Sequence, residues 1–177
     1  MKKKLTRDDF IQRLRSVKLL AIDVDGVLTD DSIWFGPDGF ELKRFNISDG
    51  FYMVLAMRYG LELAIVSGRY SAATDTRMKD LGVKHVLQAR KDKVELIRPL
   101  LDELRLSFDQ VAFIGNELLD IRLAREVGVS IAVADSAQEL LDEVNYVTGC
   151  KGGFGAVREV LECYFEAVGF DPKKLVV

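Results

Sequence analysis

Two aspartates stand one residue apart, Asp23 and Asp25, where the apolar run Leu19–Ile22 ends. Three further apolar runs lead to residues that can do chemistry. Leu63–Val66 is followed by Ser67, Gly68 and Arg69, and a run ending near Leu87 leads to Lys93. Val111–Ile114 leads to Gly115, Asn116, Glu117 and, a turn later, Asp120. Phosphoryl transfer asks for this set. A carboxylate can attack phosphorus and form an acyl phosphate, dividing one hard step into two. A second carboxylate close by can protonate the leaving alkoxide and later deprotonate the attacking water. A hydroxyl with a neighbouring backbone N–H can hold phosphoryl oxygens while an ammonium balances charge. A hard divalent cation on oxygen ligands neutralises the rest. The single histidine, His85, excludes a Ser-His-Asp site or a multi-histidine zinc site built from one chain. Taken singly, each residue also has an ordinary reading. Acids at a strand end are common turn residues, Ser67-Gly68 suits a turn with Ser71 as a helix N-cap, and Arg90-Lys-Asp-Lys suits a solvated helix start.

The elements that must position these residues follow from periodicity. Apolar runs alternate with segments of helical spacing near 50–60, 70–81, 92–105 and 118–127, and Gly60, Gly82 and Gly128 each stand at such a segment's end. That alternation predicts an α/β fold, a doubly wound, Rossmann-like parallel sheet covered on both faces. Such sheets bind ligands beyond the carboxyl ends of their strands, where all the residues above fall. A helix is expected over 8–15, a β-hairpin extension over about 31–46 around Pro37-Asp-Gly, and a Gly-rich tail and helix over 151–177. The hairpin's Trp34, Phe35, Phe40 and Phe45 are expected to pack on the domain or on another subunit. Length and composition, 177 residues with 49% hydrophobic and 30% charged, predict one domain over 1–177 and exclude disorder. A net charge of −3 gives no support for nucleic-acid or anionic-membrane binding. Apolar runs are too short to cross a membrane. Lys2–Lys4 is followed by Arg7, Asp8 and Asp9, so no export signal is expected. Two cysteines without CxxC spacing suit a reducing, cytoplasmic setting.

The segment Asp23-Val-Asp-Gly-Val-Leu-Thr-Asp resembles the first motif of the haloacid dehalogenase superfamily, and Ser67, Lys93 and Gly115–Asp120 resemble its remaining motifs in order. Within the superfamily the chain is similar to the capless 3-deoxy-D-manno-octulosonate 8-phosphate phosphatases. The similarity rests on the hairpin, Phe45-Asn-Ile-Ser-Asp-Gly, Ser67-Gly-Arg-Tyr-Ser, Arg77, Lys91-Asp-Lys-Val and Gly152-Gly-Phe-Gly-Ala-Val-Arg-Glu. The resemblance implies a Mg2+-dependent sugar-phosphate phosphatase of lipopolysaccharide biosynthesis, working through an aspartyl phosphate. It further implies a homotetramer whose sites lie at subunit boundaries. Asp23, Asp25, Ser67 and Lys93 would be catalytic. Asp23, the Asp25 carbonyl and Asn116 would hold the metal, with Glu117 and Asp120 beside them. Gly68, Arg69, Arg77, Asn46 and Asp49 would contact substrate, and the Gly152–Gly155 stretch suits a mobile flap over the phosphate.

Two departures stand out. Where the family pattern has glycine after the glutamine, this chain has Gln88-Ala89. Where it has Gly-Asp-Asp, this chain has Gly115-Asn116-Glu117, which removes one anionic metal ligand. The same Gly-Asn-Glu variant resembles the C-terminal domain of animal CMP-sialic acid synthetases, so a non-catalytic oligomerisation domain is the alternative from another class. A phosphatase for a nonulosonate 9-phosphate is a third.

Overall fold

The computed structural model describes residues 3–175. Lys2 of the basic start and the last two residues of the tail lie outside the described residues. The backbone runs α1 (Arg7–Leu14), β1 (Leu19–Ile22), then a hairpin of β2 (Trp34–Phe35) and β3 (Glu41–Leu42). It continues α2 (Ile47–Tyr59), β4 (Glu62–Val66), α3 (Ala72–Leu81), β5 (His85–Leu87), α4 (Lys93–Leu104) and β6 (Val111–Gly115). The last elements are α5 (Ile121–Glu126), β7 (Val129–Ala132), α6 (Gln138–Leu141), β8 (Tyr146–Val147) and α7 (Ala156–Val168). Among the described residues no helix is long and apolar enough to cross a membrane.

Six strands form one sheet in the order β5-β4-β1-β6-β7-β8, every neighbouring pair parallel. The chain winds from β1 outward through β4 to β5, then returns to the other side of β1 as β6. The order reverses at β1, which is where such sheets place ligands. Strand residues alternate between two cores. Leu20 and Ile22 join Phe10, Met53 and Phe165 on the face covered by α1, α2 and α7. Leu19 and Ala21 join Val94, Ile97 and Leu123 on the face covered by α4 and α5. Each fully buried side chain of this size contributes ~1.5–3 kcal/mol, so both layers fix the central strands firmly.

Gly60 and Gly82 end α2 and α3 in the left-handed conformation, as expected. Gly128 does not end α5 in this way: Val127 follows the helix with extended backbone, and Gly128 instead passes so close to the Asp109 carbonyl that a Cβ would overlap it. The hairpin forms with its turn at Pro37–Gly39, but only two residue pairs join its strands. Phe45 packs against the core, whereas Trp34, Phe35 and Phe40 are 63%, 70% and 64% exposed within one chain. Among the described residues no cap domain covers the strand ends.

Candidate active site

Register explains how the site assembles. Ile22 of β1 aligns with Ile65 of β4 and Ile114 of β6. Asp23 follows one residue beyond that level, and Ser67 and Asn116 follow two residues beyond it on the adjacent strands. Past β1 the backbone stays extended through Asp23 and Asp25, so Val24 turns into the core while both aspartates line the cleft. Gly26, at φ 77°, then bends the chain away. A Cβ there would overlap the Asn116 side chain, so only glycine lets these two loops meet.

The cleft has a volume of about 310 Å3 and brings together Asp23, Asp25, Ser67, Gly68, Arg69, Lys93, Asn116, Glu117 and Asp120. Lys93, at the first position of α4, lies 2.8 Å from Asp23 Oδ1 and 2.5 Å from Asp120 Oδ1, and its side chain is 3% exposed. Lys91 lines the cleft as well but is exposed. Asp120 is fully buried, and its Oδ2 accepts the backbone N–H groups of Asn116 and Glu117 at 2.8 and 3.0 Å. Its oxygens are thus committed to orienting the lysine and the loop. Ser67 donates its hydroxyl to the Arg69 carbonyl at 2.9 Å, in a tight turn that also aims the Gly68 backbone at the cleft. Glu117 is exposed and accepts from the Leu118 N–H at 3.1 Å.

Two carboxylates sharing one ammonium leave a net negative charge in a buried place. Burial, and then the Asp120 carboxylate, push the Asp23 carboxyl up to about 7, against the pull of Lys93. Burial opposes the charge on Lys93, yet the two carboxylates outweigh it and raise the ammonium. Asp31, on the rim and not singled out by sequence, is raised by burial and by Asp25 and other acids nearby. This excess of negative charge favours a cation. The Asn116 Oδ1 is buried with no hydrogen-bond partner among the described residues, so an uncommitted oxygen accompanies the Asp23 carboxylate. Such a donor set fits a hard divalent cation.

Hairpin residues that the sequence did not mark also reach the site. Lys43 donates to Asp25 Oδ1. Arg69 Nε lies 3.4 Å from Asp25 Oδ2, and its two terminal nitrogens fork onto Glu41 at 2.6 and 3.2 Å. Three residues expected near substrate lie elsewhere. Arg77 lines a separate groove of about 490 Å3 between β3 and α3 and donates to Asp80 at 2.8 Å. Asn46 caps α2, accepting from the Ser48 N–H at 2.8 Å, and its amide donates to the Gly153 carbonyl at 3.3 Å. Asp49 is buried in the first turn of α2 and accepts the Arg158 N–H at 2.7 Å. Both tie down the glycine-rich segment. That segment does not lie over the cleft as a flap: Gly153 N–H donates to the Val27 carbonyl at 2.9 Å. A Cβ on Gly152 would overlap the Gly26 carbonyl. The two glycines brace the turn that carries Asp25 from behind. At the Gln88 motif, Ala89 takes φ 70°, a backbone conformation that suits the glycine of the family pattern.

Comparison with known proteins agrees with this geometry. A family model for haloacid dehalogenase-like hydrolases matches residues 83–161. The 3-deoxy-D-manno-octulosonate 8-phosphate phosphatase of Yersinia pestis is 42% identical over 88% of this chain and 83% of its own length. That of Escherichia coli K12 is 38% identical over 91% and 86%. The crystal structure of the Moraxella catarrhalis phosphatase of the same name, in complex with magnesium ion, phosphate ion and a KDO molecule, is 35% identical. It superposes with a TM-score of 0.91 over 96% of this chain and 98% of that one. The Yersinia pestis crystal structure superposes at 0.88 with 41% identity, over 90% and 86%. With this identity along nearly its whole length, the chain belongs to the 3-deoxy-D-manno-octulosonate 8-phosphate phosphatase family of haloacid dehalogenase-like hydrolases.

Proposed function

We propose that this chain is a Mg2+-dependent phosphatase that hydrolyses 3-deoxy-D-manno-octulosonate 8-phosphate through an aspartyl phosphate on Asp23. The observation that carries the reading is the buried Asp23–Lys93–Asp120 chain at the switch point of the sheet. A scaffold that only mediates assembly gains nothing from an ammonium and two carboxylates buried together, which cost more than an apolar core of equal volume. Identity to phosphatases named for this substrate supports the substrate class.

In this reading the Asp23 carboxylate attacks phosphorus and the bond to the sugar oxygen breaks, with Asp25 giving that oxygen a proton. Asp25 then takes a proton from the water that hydrolyses the acyl phosphate, restoring Asp23 and releasing phosphate. Ser67 and the Gly68 backbone hold phosphoryl oxygens, while Lys93 offsets charge on Asp23 and the phosphate. Asp23, the Asp25 carbonyl and Asn116 Oδ1 would hold Mg2+, which supplies charge neutralisation and orients the phosphate. Arg69 stands at the cleft mouth to meet the sugar carboxylate.

The same reading makes the 1–177 domain a homotetramer. Exposed Trp34, Phe35 and Phe40 form the kind of apolar patch that marks a protein interface, and among the described residues no cap covers the cleft. Arg77, outside its own chain's cleft, would then serve a neighbouring copy's site. Two free cysteines support a cytoplasmic setting. The test is phosphate release from a panel of phosphorylated sugar acids with and without Mg2+. The eight-carbon 8-phosphate should be the preferred substrate. Preference for a nonulosonate 9-phosphate would reassign the substrate, and no hydrolysis of any member would leave only the scaffold.

A further inference from the structure

We propose that Lys43, from the hairpin, is a positioning residue that fixes the Asp25 carboxyl for proton transfer to the leaving oxygen. The inference deepens the phosphatase reading and rests on it. Lys43 follows β3, and although the hairpin around it is largely exposed, its side chain is 1% exposed. Its ammonium donates to Asp25 Oδ1 and lies 3.9 Å from Glu41 Oε1. Arg69 approaches the other Asp25 oxygen and forks onto Glu41, whose Oε1 also accepts the Ser71 hydroxyl at 2.6 Å. Asp25, Lys43, Glu41 and Arg69 therefore form a closed ring of alternating charge, with a different partner on each Asp25 oxygen.

Taking an ammonium side chain out of water is costly even when it is paired, so anchoring the hairpin alone does not explain a charged residue here. Geometry does. A general acid works only within hydrogen-bond reach of the atom it protonates, and a displacement of ~1 Å costs on the order of a hundredfold in rate. A carboxyl held through both oxygens keeps one rotamer. The ring also links the hairpin to the chemistry: two strands joined by two residue pairs are marginal alone, and the contacts that dock them are those that orient Asp25.

A purely structural lysine and a positioning lysine separate by leaving group. An alkyl phosphate such as 3-deoxy-D-manno-octulosonate 8-phosphate needs its leaving oxygen protonated, whereas p-nitrophenyl phosphate departs as a stable phenolate without an acid. In Lys43→Met, the first step on the sugar phosphate, read in single turnover as sugar release, should slow ~100-fold with half-saturation within about twofold, while the pre-steady-state burst of p-nitrophenolate, which needs no acid, slows less than about threefold; the second step, where Asp25 acts as base, slows alike for both substrates. Lys43→Arg, which keeps a charged donor, should recover about tenfold of the sugar-phosphate rate. If Lys43→Met loses its cooperative thermal transition, Lys43→Gln carries the same comparison with a shorter donor. Equal losses in the first step on both substrates, or a change in half-saturation alone, would overturn the positioning role and leave the phosphatase reading intact. A wild type inactive on both substrates would overturn that reading and this proposal together.

Discussion

Asp23→Asn should stabilise the metal-free protein, and by an amount that grows with pH. The Asp23 carboxyl is raised from an ordinary 3.8 to about 7 in the folded chain, so between those values the native state binds a proton that the unfolded state has lost. Stability therefore falls as pH rises through this window, and above pH 7 the full penalty is present. At about 1.36 kcal/mol per tenfold in proton affinity, that penalty is ~4 kcal/mol at pH 8 and less than half of that at pH 5. The amide removes it at both values but pairs less well with Lys93, at a cost of ~1–2 kcal/mol. The net gain at pH 8 is then ~2–3 kcal/mol, or ~4–12 °C in Tm for a domain of this size, with no gain at pH 5. Urea denaturation of both proteins in EDTA at the two pH values measures the difference. A gain that is the same at pH 5 and pH 8, or a loss at pH 8, would refute the buried-charge reasoning.

Three further outcomes follow from local geometry. Ala89→Gly should raise stability by ~0.5–1 kcal/mol, because alanine pays for φ 70° and glycine does not, read as a shift of the urea midpoint. Gly152→Ala should destabilise by more than ~2 kcal/mol in urea melts and lower turnover, since its Cβ must displace the Gly26 carbonyl behind Asp25. Asn116→Asp should lower the Mg2+ concentration needed for half-maximal activity, because it restores an anionic oxygen where the Asn116 Oδ1 now has no partner among the described residues. An unchanged Mg2+ titration would show that residue 116 does not ligate.

The parts of the site that sequence reveals are those delivered directly by buried strands. Asp23, Ser67 and Asn116 follow apolar runs, and once the sheet is parallel their meeting is a matter of register. Lys93 is legible for a related reason, lying at a helix start that faces the same edge. Glu41 and Lys43 carry no such signal, because they belong to a hairpin whose docking depends on tertiary contacts with Arg69, Ser71 and Asp25. Glycine is ambiguous in one dimension: the freedom that lets Gly152 and Gly153 resemble a flap also permits the close backbone approach they make to Gly26 and Val27. The same ambiguity makes Gly128 look like a helix end when it is a point of close contact with Asp109. Asn46 and Asp49 sit near the motifs in sequence, yet a cap and a buried acid at the start of α2 face the tail instead of the cleft.

Asp23 has one role in this mechanism above all, that of the nucleophile. The most direct test of that role is phosphate release from 3-deoxy-D-manno-octulosonate 8-phosphate with saturating Mg2+, comparing wild type with Asp23→Asn, the variant expected to be the more stable of the two when metal is removed. Steady turnover by the wild type, lost by at least ~10³-fold in a folded Asp23→Asn, is the predicted result. Equal rates in the two proteins, or no turnover in either, would contradict it.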